Sequence, residues 1–95
     1  MTARVGLLTV QLSVTDAMTL KDKRQVVRSL LDRTADRFNV AVAEVGRLDS
    51  PRRAELAFAC VGNDGGHVRE MLGSVLRAVE AEPRAEVEES EIELF

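Results

Sequence analysis

The chain has no Trp and no Tyr, and its aromatic residues are Phe38, Phe58 and Phe95. A core must therefore be filled by Val, Leu and Ala, which bury less area per side chain. With one cysteine, Cys60, no internal disulfide can form, and its place in the run LAFACV reads as a buried structural thiol. The single histidine, His67, cannot complete a zinc site with it. No metal and no cofactor are expected. No apolar run approaches the roughly 20 residues of a membrane span. The opening MTARVGLLTVQL is broken by Gly6, Thr9 and Gln11 and lacks a signal peptide's apolar block and cleavage site. The expectation is a cytoplasmic protein with no membrane association.

What is present is the mixture of a soluble globular chain, 45% apolar and 31% charged over 95 residues. That length suits a single domain, residues 1–95. The net charge of −3 is unevenly spread. Residues 1–79 carry 12 basic and 9 acidic side chains, whereas residues 80–95 set Arg84 against seven glutamates. A mildly basic body thus leads into an acidic end, which argues against binding nucleic acid by bulk charge alone.

Residues 4–14 alternate, with Gly6, Leu8, Val10, Leu12 and Val14 on one side, as a strand requires. Thr19 then stands three positions before Asp22, an aspartate version of the capping box, at the start of a helix over 20–37. Its apolar face carries Leu20, Val27, Leu30, Leu31 and Thr34. Residues 38–46 read as a second strand, and RLDSPRR as a polar, mobile connection. A third strand covers 53–62, with Leu56, Phe58 and Cys60 on one face and Ala57, Ala59 and Val61 on the other. Asn63 or Asp64 caps a second helix through Val68, Met71, Leu72, Val75, Leu76 and Val79, which Pro83 ends. Residues 85–95 form a last strand that turns Glu89, Glu91 and Glu93 away from Ile92 and Leu94.

The order strand, helix, strand, strand, helix, strand, joined by right-handed crossovers, predicts an α+β ferredoxin-like βαββαβ sandwich. Two helices cover one face of a four-stranded antiparallel sheet. Strands one and three are central, and the glutamates of the last strand protect its edge.

The segments LTVQL, TLKDKRQVVRSLLDR, RFNVAVAEVG and VGND together resemble the YlxP-like family of small uncharacterised bacterial proteins (domain of unknown function 503). In that family the first helix opens with Ser-Leu-Lys-x-Lys-Arg, matched by Thr19 to Arg24, where threonine keeps the capping hydroxyl. Phe38 to Glu44 and Val61 to Asp64 match its other two motifs. The resemblance spans nearly the whole chain. It implies a ferredoxin-like fold and a bacterial cytoplasmic protein, but no established biochemistry. Its genes often adjoin those of translation factors, which implies contact with RNA or the ribosome.

Two surfaces are candidate sites. The first helix carries six basic residues against three aspartates. Lys21, Lys23, Arg24 and Arg28, with Arg52 and Arg53 from the connection, are the candidate contacts to a nucleic-acid backbone. A solvated helix face with pairs such as Arg28–Asp32 is the plainer account of the same residues. The second surface is the helix-free side of the sheet, where Val5, Leu7, Ala41, Ala43, Ala57 and Ala59 make an apolar face suited to a homodimer. The outward positions of strands one and three hold no aromatic, which speaks against base stacking on the sheet.

An enzyme is not expected. Acylphosphatase shares the fold and the length, but its glycine- and arginine-bearing phosphate loop has no counterpart in SVTDAMTL, and that loop also lacks a metal-carrying cysteine pair. The glycines around Asn63 and Asp64 are explained by a tight strand-to-helix turn.

Overall fold

In a computed structural model the chain is described over residues 2–95. Its elements are β1 (Arg4–Val14), α1 (Leu20–Arg37), β2 (Ala41–Gly46), β3 (Arg53–Gly62), α2 (Gly65–Glu80) and β4 (Ala85–Leu94). They form one antiparallel sheet in the order β2-β3-β1-β4, with β1 and β3 central. The expected βαββαβ sandwich is the observed one.

Both helices lie on the side of the sheet to which the apolar alternation points. Leu8, Val10 and Leu12 of β1 and Leu56 and Phe58 of β3 are buried with Val27 and Leu30 of α1 and Val68, Leu72, Val75 and Val79 of α2. Gly6 lets α2 sit close: a Cβ placed there would stand 2.5 Å from Val68 and 2.7 Å from Leu72.

The helix starts follow from side chains that accept backbone N–H groups. Thr19 Oγ1 accepts from Asp22 N–H, and the Asp22 carboxylate accepts from Thr19 N–H, completing the capping box. At α2 the cap is Asp64, which accepts from His67 N–H.

The second strand begins later than its alternation suggests. Phe38 N–H still bonds back to Thr34, and Val40 N–H turns onto Phe38 C=O. Residues 38–40 therefore serve as the end of α1 and a tight connection. Phe38 and Val40 pack against the core from there.

Candidate functional site: the cationic flank of the first helix and the open sheet face

The largest departure from expectation is Lys23. It is completely buried (0% exposed), so it cannot meet a phosphate backbone. Its ammonium donates to the carbonyls of Arg47 at 2.9 Å and Arg53 at 3.2 Å, and Glu44 Oε2 lies 2.9 Å away. The Glu44 contact is an ion pair without hydrogen-bond alignment, since Oε2 has no aligned donor. A lysine without such partners would not tolerate burial. The sequence contained a signal for this placement: Lys23 precedes Val27, Leu30 and Thr34 by 4, 7 and 11 residues, the spacing of the buried face.

Lys23 also ties the connection between β2 and β3 to α1 through two of its backbone carbonyls. Besides the two bonds from Lys23, Val14 N–H donates to Arg52 C=O at 2.7 Å, Ser50 N–H to Arg47 C=O, and Arg53 N–H to Ser50 Oγ. Arg47 takes a left-handed φ of 56°, which costs a non-glycine residue energy and here turns its carbonyl onto the buried ammonium. The segment carrying Arg52 is thereby pinned against the first turns of α1.

The remaining candidate cations sort by partner. Arg53 is occupied by Glu88 on β4. Lys21, Arg24, Arg28 and Arg52 are exposed, and among the described residues no carboxylate lies within salt-bridge distance of any of them. The Arg28–Asp32 pair is not formed. Arg24 and Arg28 instead border a hollow of about 440 Å³ between α1 and the edge strand β2, floored by Val27, Leu31 and Val42 and also touched by Asp32 and Glu44.

The one buried acid among the described residues has no sign in the sequence pattern. Glu82, in the turn between α2 and β4, is 4% exposed and binds both Arg33 of α1 and Arg84. The hydrogen bonds of Arg84 hold its carboxyl down at about 2, against the cost of burial. Arg33 and Arg84 are therefore committed to this junction.

The depression beside the β1–α1 loop is lined by Asp16, Asp22, Gln25 and Arg84. Asp22 is spent on capping: the backbone N–H of Met18 and that of Thr19, with the Thr19 hydroxyl, keep its carboxyl below the usual carboxylate value. Two carboxylates there do not make an anion cradle. Burial raises the Cys60 thiol above its usual value, consistent with a core role.

On the open side of the sheet, Ala41, Ala59 and Leu7 are cross-strand neighbours, as are Ala43, Ala57 and Thr9. The next row pairs Val61 with Val5. Phe95 N–H bonds to Val5 C=O at 2.8 Å, which adds Phe95 to that row. Val5, Val61 and Phe95 are 41%, 70% and 66% exposed. Phe95 is an aromatic of the open face outside the two central strands, and continuing the alternation of β4 by one residue places it with Glu91 and Glu93. Phe58 is fully buried, as expected.

With the fold and these surfaces defined, comparison with known proteins is decisive on one point. The profile of the family described as "Protein of unknown function (DUF503)" matches residues 5–92. The chain belongs to this family. It is 29% identical over 82 residues to the protein named "Uncharacterized protein YlxP" from Bacillus subtilis (strain 168), covering 86% of this chain and 89% of that one. Among solved structures it is similar to "De novo designed protein Foldit4", with a TM-score of 0.55, 14% identity, and coverage of 98% of this chain and 96% of that chain. At that identity the likeness concerns the fold alone. A family of unknown function assigns no chemistry to either surface, and among the described residues no helix is long and apolar enough to cross a membrane.

Proposed function

We propose that this DUF503 protein is a cytoplasmic, non-enzymatic accessory module that holds RNA or a ribosomal complex by phosphate contacts from α1. The observation that carries this reading is the division among its cations. Arg33, Arg53, Arg84 and Lys23 each have a carboxylate partner, and of the exposed cations without one among the described residues, Lys21, Arg24 and Arg28 lie together on the early turns of α1 while Arg4, Arg37, Arg47, Arg52, Arg69 and Arg77 lie elsewhere on the surface. Unpaired cations on consecutive turns of one helix are free to replace the counterions of a phosphate backbone. Helix α1 presents Lys21, Arg24 and Arg28, and the connection tied down by Lys23 adds Arg52. Capture of the tagged protein from a bacterial lysate, with and without ribonuclease, tests the reading. Recovery of RNA or ribosomal proteins that ribonuclease abolishes supports it, and recovery of no RNA contradicts it.

A second reading, self-assembly through the open sheet face, is favoured by the row Val61–Val5–Phe95 beside Leu7 and Ala59. Three large apolar side chains side by side form a patch that a second sheet covers well. Sedimentation distinguishes this: a concentration-dependent dimer lost on Leu7→Arg or Ala57→Glu supports it, and a monomer at high concentration excludes it.

A further inference from the structure

The two edges of the sheet are protected unequally. Strand β4 carries Glu86, Glu88, Glu89, Glu91 and Glu93, charges that discourage a new strand from adding, whereas a register break is common to both edges, opposite Gln11 and Leu12 in β4 and between Glu44 and Gly46 in β2. Strand β2, the other edge, reads AVAEVG. Its one charge, Glu44, is already matched by Lys23, and its open-face residues Ala41, Ala43 and Val45 are small or apolar and exposed. Because β2 pairs only with β3, its other margin has no backbone partner in the sheet.

That margin runs along the hollow between β2 and α1. The Lys23–Glu44 contact fixes the relative direction of the two elements: the early turns of α1 lie beside the end of β2, and Leu31 lies toward Val42. A strand added to β2 would send alternate side chains into this hollow and the others over Ala41, Ala43 and Val45. In the hollow it would meet Arg24 and Arg28 at one end, beside a Glu44 carboxylate whose charge is matched by Lys23, and the apolar pair Leu31 and Val42 at the other. Asp32 also borders the hollow, and its position on α1 one residue beyond Leu31 keeps it toward the apolar end.

We propose that β2 and the adjoining groove of α1 are a docking site for an extended acidic peptide, which adds to the sheet antiparallel to β2. Its groove-facing side chains are carboxylates opposite Arg24 and Arg28, followed by an apolar residue against Leu31 and Val42. Its other side chains are apolar and enlarge the open face. Backbone hydrogen bonds to β2 supply the sequence-independent part of the affinity, and the two arginines, which have no carboxylate of their own, select acidic side chains. The inference does not rest on the phosphate reading, although both use Arg24 and Arg28 and the two ligands would exclude each other.

The test titrates the blocked pentapeptide Glu-Val-Glu-Val-Leu into the isotopically labelled protein and follows backbone amide resonances. Saturable shifts at residues 41–46 and along α1 are expected. Replacing the glutamates by lysine, or methylating alternate peptide nitrogens, should each weaken binding at least about tenfold, as should Arg24→Ala with Arg28→Ala. Lys21→Ala should leave the peptide unaffected, which separates this site from a phosphate-binding surface. No shift at β2, shifts confined to β4 or the open face, or equal binding of the N-methylated peptide would each overturn the proposal.

Discussion

The ammonium of Lys23 and the carbonyl oxygen of Arg47 are 2.9 Å apart, and each explains the other's unusual state. Lys23 is buried because carbonyls and Glu44 surround its charge. Arg47 has a left-handed backbone, and its carbonyl faces that charge. The pair ties the first turn of the cationic helix to the β2–β3 connection and sets where Arg24 and Arg52 stand.

Replacing Lys23 by Met should destabilise the protein by about 3–5 kcal/mol, the usual cost of stranding one partner of a buried ion pair. Urea denaturation measures it. Adding Glu44→Leu to Lys23→Met should recover part of the loss, because the stranded carboxylate is then gone. Losses that simply add would show that the pair is not energetically coupled.

The strain at Arg47 predicts opposite outcomes for two substitutions. Arg47→Gly should range from neutral to about 1 kcal/mol more stable, because relief of the left-handed conformation is partly offset by glycine's greater freedom when unfolded. Arg47→Val should cost roughly 1–2 kcal/mol, since a β-branched residue tolerates this region poorly. Equal thermal stabilities for the two variants would contradict the role given to φ.

Glu82 should govern part of the acid stability. Its carboxyl is held at about 2 in the folded protein, below the ordinary 4.5, first by the Arg84 hydrogen bonds. The folded state therefore binds its proton less readily than the unfolded chain. The resulting stabilisation is fully present above pH 4.5 and is lost as pH falls toward 2. With both arginines about half exposed to water, this contribution is roughly 1–2 kcal/mol. Glu82→Gln should lower stability by that amount at pH 7 and flatten the decline between pH 4.5 and 2. An unchanged acid profile in the variant would count against it.

Gly6 should not accept a methyl group. The Cβ of Gly6→Ala would run into Val68 and Leu72, both buried, so the expected loss is about 1–3 kcal/mol with α2 displaced from β1. A melting temperature equal to that of the unaltered protein would mean that the helix yields without cost.

Alternation and helical spacing made most of the architecture legible in the sequence. The bounds of β1, α1 and β3 follow from them directly, and Thr19–Asp22 marked the start of α1. Strand β2 was read too long because FNVAV alternates even while Phe38 still completes the helix. The site was less legible because a charge does not announce its partner. Lys23 has the same chemistry as its neighbours Lys21 and Arg24, and only its spacing to Val27, Leu30 and Thr34 marks it for the buried face on which the structure places it. Arg53 reads as a free cation because its partner Glu88 lies 35 residues away in sequence. Phe95 lies at the end of the last strand, outside the two central strands on which base stacking is judged.

The most direct test of the account is the salt dependence of RNA binding by the unaltered protein and by a variant with Lys21, Arg24 and Arg28 changed to alanine. Titrated with a labelled RNA hairpin at increasing potassium chloride, the unaltered protein should bind with an affinity that falls steeply with salt, and the variant with a slope shallower by roughly two to three. Arg33→Ala, which removes a cation already paired to Glu82, should leave the slope close to that of the unaltered protein. No binding at low salt, or equal slopes for the unaltered protein and the triple variant, would contradict the assignment of phosphate contact to α1.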